Sequence, residues 1–196
     1  MNVVCILGSP RINGNSTLLA NRFCEKAREK GASVRTFALN KLTYRGCQAC
    51  MACKKKLERC VLDDDLKPAL EAIRDADVLV MASPVYFGEV SSQTKAFIDR
   101  TFSYLKADYI TNPKPSRLAP GKQLVFILAQ GQPDEKLFAD VFPRYDMFFQ
   151  WYGFKPGIPI RACGVNSPGS VERRADILAL VDQTADRITM GSGLEN

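Results

Sequence analysis

Four cysteines stand close together at Cys47, Cys50, Cys53 and Cys60, the first three each separated by two residues and the last by six. Four thiolates are what an iron–sulfur cubane needs, and a Cys-x-x-Cys-x-x-Cys run can wrap three of them around one cluster while a fourth comes from nearby. Zinc also takes four thiolates, although its motifs usually pair two short Cys-x-x-Cys knuckles across a longer stretch. A third reading is a loop of bare thiols with no metal. The residue types leave all three open. Lys54, Lys55 and Lys56 sit beside the candidate ligands, where they would offset thiolate charge or simply be solvated. Asp63, Asp64 and Asp65 follow, and their place before a helical stretch suits capping better than metal binding.

A second group of residues suits an anion. Residues 8–17, Gly-Ser-Pro-Arg-Ile-Asn-Gly-Asn-Ser-Thr, join the first apolar run to the first helical one. A helix start offers free backbone N–H groups and a partial positive charge. Ser9, Ser16 and Thr17 bring hydroxyls, Asn15 an amide and Arg11 a full charge, a set suited to one terminal phosphate. The segment has neither Gly-x-x-x-x-Gly-Lys nor Gly-x-Gly-x-x-Gly, so it is not an ordinary nucleotide loop or dinucleotide fingerprint. The plain alternative is a turn followed by a helix cap, since Gly, Asn and Ser are common in turns. A third group, Ser83-Pro84-Val85-Tyr86-Phe87-Gly88, follows a later apolar run, and Gln130-Gly131-Gln132 follows the next. Aromatic side chains and open backbone suit a flat ring with carbonyl and N–H edges. Alone, such a segment reads as a turn; its interest is its position relative to the first loop.

The elements that must place these groups alternate. Residues 3–7, 78–82 and 124–129 are nearly all apolar, as in strands buried on both faces, with weaker strand candidates at 33–39 and 157–163. Helical patterns occupy 16–30, 65–75, 91–105, 135–152 and 170–190. Strict alternation predicts an α/β fold: a doubly wound, five-stranded parallel sheet with helices on both faces. For the order 2-1-3-4-5, the ligand crevice lies at the carboxyl ends of strands one and three, so the first loop and residues 83–88 would flank one ligand. We expect a single domain over 1–190 with a Cys-rich loop insertion at 43–62, a long loop at 106–122 and a tail at 191–196.

Composition narrows the function. His is absent, which removes Ser/His and Cys/His catalysis and any His-bound metal. The net charge of +6 is spread along the chain, which argues for a solvated surface and against a nucleic-acid partner. No apolar run approaches the roughly 18 residues of a membrane span. The N-terminus enters an apolar strand directly, with no basic leader or cleavage site, and the expected location is cytoplasmic. Cys5, Cys24 and Cys163 lie in strand-like or helix-like stretches and read as small core residues.

Together, the first loop, the Ser83–Gly88 segment and the cysteine run between them resemble the flavodoxin-like NAD(P)H-dependent FMN reductases, and within these the iron–sulfur flavoproteins. The resemblance covers almost the whole chain. It implies FMN, with phosphate contacts from Ser9, Arg11, Asn15, Ser16 and Thr17 and ring contacts from Pro84, Val85, Tyr86, Phe87, Gly88, Gln130 and Gly131. It implies a [4Fe-4S] cluster on Cys47, Cys50, Cys53 and Cys60, although relatives with this fold can keep part of such a motif without a cluster. It also implies NAD(P)H as a co-substrate, a ferredoxin or small molecule as electron donor or acceptor, and a homodimer or homotetramer with the active site near a subunit interface. The function so implied is an FMN-dependent oxidoreductase. The alternatives are an NAD(P)H-dependent FMN or quinone reductase without a cluster, and a flavodoxin-type carrier, which the basic charge disfavours. No side chain need act as nucleophile or base, since the flavin carries the chemistry.

Overall fold

Strands β1 (Asn2–Leu7), β3 (Val78–Tyr86) and β5 (Gln123–Ala129) form the middle of a parallel sheet because their residues are apolar on both faces. The computed structural model describes residues 1–191; of the expected tail, 192–196 lie outside the described residues. The remaining elements are α1 (Asn15–Glu29), β2 (Ser33–Ala38), α2 (Ala52–Lys55), α3 (Lys67–Arg74), β4 (Glu89–Val90), α4 (Ser92–Arg100), α5 (Val141–Trp151), β6 (Ile158–Ala162) and α6 (Ala175–Gly191). The parallel strands run β2-β1-β3-β5-β6, with Val3 opposite Val34 on one side and Val78 on the other.

Alternation along the strands divides the interior into two layers. Val3, Cys5 and Leu7 pack with Leu19 and Phe23 of α1 and Val181 of α6. Val4 and Ile6 face the opposite way, toward Leu70 of α3, Phe97 of α4 and Phe149 of α5. Cys5, Cys24 and Cys163 are buried in the manner of small core residues.

Several details depart from the sequence reading; among them, the helix expected over 170–190 starts as a 3₁₀ turn at Ser170–Arg173 and becomes α6 only at Ala175. The order gains a sixth strand: β4 pairs antiparallel with β3, so residues 83–86, expected in a loop, continue the strand into a hairpin. With β4 set aside, the five parallel strands keep the expected order. Helix α5 begins at Val141 rather than at 135, because Pro143 has no N–H to bond back and fits only the first turn. The stretch 91–105 ends its α-helix at Arg100 and finishes in a 3₁₀ turn. The loop 106–122 is tied down by Arg117, whose guanidinium donates to the carbonyls of Ser103, Leu105 and Cys53. Among the described residues, no helix is long and apolar enough to cross a membrane.

Candidate functional site

At the carboxyl ends of β1 and β3 the loop 8–14 and the β3–β4 hairpin stand side by side. The Gly8 N–H donates to the Ala82 carbonyl at 2.8 Å and the Gly8 carbonyl accepts from Ser91 Oγ at 2.6 Å, which fixes the loop to its neighbour. A side chain at Gly8 would overlap Thr94 Oγ1, so only glycine lets the two chains lie this close. The result is a cleft of about 260 Å³ whose walls include Ser9, Arg11, Asn15, Ser16, Pro84, Val85, Tyr86 and Gly131.

The polar atoms of the helix-start loop divide into engaged and open ones. Asn15 is engaged: its amide donates to the carbonyls of Val165 (3.1 Å) and Ser167 (2.9 Å), and its Oδ1 accepts from the Val171 N–H at 3.2 Å. It pins α1 to the segment after β6 and leaves only its backbone to a ligand. Thr17 is absent from the cleft wall; its hydroxyl reaches the Arg11 carbonyl at 3.5 Å and braces the loop. Ser9 Oγ accepts from the Arg11 N–H at 3.1 Å. Ser16 is 1% exposed, and its Oγ has no hydrogen-bond partner among the described residues. The first turn of α1 carries no acidic residue, so the positive end of its dipole is uncompensated.

The hairpin is the strained part of the site. Tyr86 pairs with Glu89, so Phe87 and Gly88 are its two central residues, with φ of 49° and 77°. Positive φ at both positions marks the two-residue turn that matches strand twist. Glycine takes this readily, but a bulky residue does not, and Phe87 is also fully exposed. An exposed aromatic held in a strained turn points to selection for contact with something outside the chain. Phe87→Asn is expected to raise the stability of the ligand-free protein by about 1 kcal/mol, since Asn tolerates this backbone and no packing is lost; the urea midpoint measures it, and a fall would mean the ring packs. The hairpin base is fixed to α5 by Tyr145, which donates to Glu89 at 2.7 Å, and by the Arg144–Glu89 ion pair at 3.1 Å.

Gln130 does not face the cleft. Its amide donates to the carbonyls of Gln132, Asp134 and Leu137, and its Oε1 accepts from Arg161 at 3.0 Å. It shapes the loop that presents Gly131. A side chain at Gly131 would overlap Asn166 Oδ1. Asn166 and Val165 complete the wall, and sequence reasoning missed them. The Asn, Ser, Pro and Gly of 164–169, directly after the last strand, were the available signal.

Cys47, Cys50, Cys53 and Cys60 all line one separate concavity. Ala49 and Met51 take positive φ, 51° and 57°, which winds the backbone tightly about Cys50. Burial pushes the Cys53 thiol up; Lys54 pulls it down, and the other three thiols push it further up. Among the described residues no three candidate donors converge as ligands of one ion would. Lys54 does not lie free beside the thiols: its Nζ donates to the carbonyls of Phe102 and Leu105, both at 2.6 Å, and sits 3.8 Å from the centre of the Phe102 ring. Of the three aspartates, Asp64 serves the start of α3, its Oδ1 accepting from the Leu66 N–H at 3.2 Å, while the cap residue Leu66 has no side-chain bond of its own. Asp65 accepts from the Thr43 N–H, Asp63 pairs with Lys67, and Asp64 receives Arg100 at 2.7 Å. The Arg100 Nε donates to Cys60 Sγ at 3.1 Å.

Residues 1–135 match the family described as NADPH-dependent FMN reductase. The chain belongs to that family. The matched stretch of this FMN reductase family member takes in the helix-start loop, the cysteine run, the hairpin and Gly131; Asn166 lies beyond it. An iron–sulfur flavoprotein of Methanocaldococcus jannaschii is 37% identical over 101 residues, 52% of each chain. One of Archaeoglobus fulgidus is 31% identical over 140 residues, 69% of this chain and 58% of that one. The match thus spans about half the length of such curated relatives. Among solved structures, an FMN-dependent NADH-azoreductase from Bacillus anthracis in complex with FMN superposes with a TM-score of 0.72 at 15% identity, covering 96% of this chain and 99% of that one. An NAD(P)H:quinone oxidoreductase from Methanothermobacter marburgensis gives 0.71 at 18% identity, covering 96% of each. At these identities the structures establish a shared fold.

Proposed function

We propose that this chain is an FMN-dependent oxidoreductase that holds FMN in the cleft and a [4Fe-4S] cluster on its four clustered cysteines. The observation that carries the FMN assignment is Ser16 Oγ, buried and unpartnered at the start of α1. Leaving a buried hydroxyl unpaired costs about 1–3 kcal/mol. A phosphate at the helix start would accept from it and from the first-turn N–H groups, with Arg11 and Ser9 at the same wall. On this reading Asn15 and Thr17 shape the cradle, Pro84, Val85 and Tyr86 line the ring end, the Phe87–Gly88 turn stands at the rim, and Gln130 holds Gly131 in place. Bound FMN would supply the exchange of reducing equivalents, one or two electrons at a time.

The cluster assignment is supported by the single concavity shared by the four thiols and by the names of the relatives, which are iron–sulfur flavoproteins. In a cubane each iron takes one thiolate, so its ligands surround a void rather than meet at a point. NAD(P)H, a ferredoxin or a small oxidant are the expected redox partners. Self-association belongs to the same reading: Phe148 and Trp151 of α5 are both part-exposed and line a groove of about 710 Å³ that reaches Cys47 and Met51.

The visible spectrum of anaerobically purified protein, with iron and sulfide analysis, tests both assignments; folded protein that takes up no FMN from excess overturns the proposal. Cys50→Ser is expected to abolish iron and sulfide binding while FMN binding persists, and full metal content in that variant would reject this ligand set. A cluster-free NAD(P)H-dependent reductase is the second reading, favoured by the azoreductase and quinone oxidoreductase folds. Flavin without iron, together with rapid NADPH oxidation, selects it.

A further inference from the structure

We infer that Arg100 is a positioning residue for the thiolate centre, and that its hydrogen bond to Cys60 sets the reduction potential of the cluster bound there. The inference rests on the cluster reading above and goes beyond it to a residue outside the cysteine motif. Arg100 closes α4, and its side chain is fully buried. A guanidinium has five N–H donors in a rigid fork, and here each has an acceptor. Nη1 donates to the Arg45 carbonyl and Asp64 Oδ2, both at 2.7 Å. Nη2 donates to the Leu62 carbonyl at 3.3 Å and Asp64 Oδ1 at 3.2 Å. The fifth, on Nε, goes to Cys60 Sγ.

This arrangement does two things. It fixes Cys60 relative to the Cys47 arm, because Arg45 and Leu62 lie two residues from those cysteines and are held by one rigid group. It also aims a charged donor at one sulfur while a carboxylate pairs with the same guanidinium at its far edge. Asp64 offsets the formal charge, so what reaches the sulfur is chiefly the N–H bond. Hydrogen bonds to ligand sulfurs and local net charge are two of the levers that set cluster potentials. A donor to sulfur favours the more negative, reduced state and moves the potential upward.

The two levers separate by mutation. Asp64→Asn keeps the bond and uncovers the positive charge, so the potential should shift to more positive values. Arg100→Met combined with Asp64→Asn removes both charges and the bond. Local net charge is then unchanged, and the potential should shift to more negative values than in the native protein. The measurement is the reduction potential of the anaerobically reconstituted full chain, followed by electron paramagnetic resonance. A double variant with the native potential overturns the role of Arg100 while leaving the cluster reading intact. A native protein that takes up no iron and sulfide overturns that reading and this inference with it. Should the double variant not fold, Arg100→Lys decides alone, since it keeps both charges but has no Nε–H beside Cys60: a potential below the native one supports the inference, and an unchanged or higher potential rejects it.

Discussion

Ser16→Ala should weaken FMN binding roughly 10- to 100-fold while leaving the FMN-free protein as stable as before, or slightly more so. The two effects have one origin. In the free protein the hydroxyl is buried without a protein partner, so its removal takes away a desolvation penalty and leaves a methyl group at the cleft wall. In the complex the same hydroxyl would donate to a charged phosphate oxygen, a bond worth about 1.5–3 kcal/mol. A residue kept only for packing or helix capping would show the reverse, with stability lost and affinity unchanged. Here Gly14, not Ser16, occupies the cap position, so no cap is lost. Quenching of flavin fluorescence gives the affinity and urea unfolding gives the stability. Unchanged affinity would remove Ser16 from the phosphate cradle and leave the main-chain N–H groups and Arg11 to account for it.

What the sequence shows well in this chain is position along the strands. The apolar runs place β1, β3 and β5, and their alternation separates Val3 and Cys5 from Val4 and Ile6, so the loops at the carboxyl ends can be located without coordinates. What it conceals is which donors are already used. Asn15 looks like a ligand because it stands beside Ser16 at a helix start, yet its amide is taken by residues some 150 positions away. Gln130 is spent in the same way on its own loop and Arg161. The hairpin escaped notice because Tyr86-Phe87-Gly88-Glu89 puts a phenylalanine where turn chemistry favours Asn, Asp or Gly. Arg100 was invisible for a related reason: its partners lie 36 to 55 residues away, and no local pattern marks a buried guanidinium.

Arg100→Met is expected to destabilise the metal-free protein by about 3 kcal/mol near neutral pH, the low end for breaking a buried pair, because Asp64 keeps some contact with solvent. Adding Asp64→Asn should recover much of the loss, since an unpaired carboxylate is worse than no charge at all. The pH dependence identifies the cause. In the native protein, burial pushes the Asp64 carboxyl up, but the bonds from Arg100 and the Arg45 N–H outweigh it and hold the group below its ordinary value. A depressed carboxylate contributes stability that is present above its unfolded value, about 3.9, and is lost as the pH falls through the folded value. In the Met variant the desolvated carboxylate has lost its main partner, so its folded value rises and protonation on acidification relieves the penalty. The gap between native and variant should therefore be widest near pH 7 and shrink toward about pH 3. Urea unfolding of both proteins at the two pH values measures that gap. A gap of equal size at both would assign the loss to packing around α4 rather than to the ion pair, and would make Asp64 a bystander to the guanidinium that reaches Cys60.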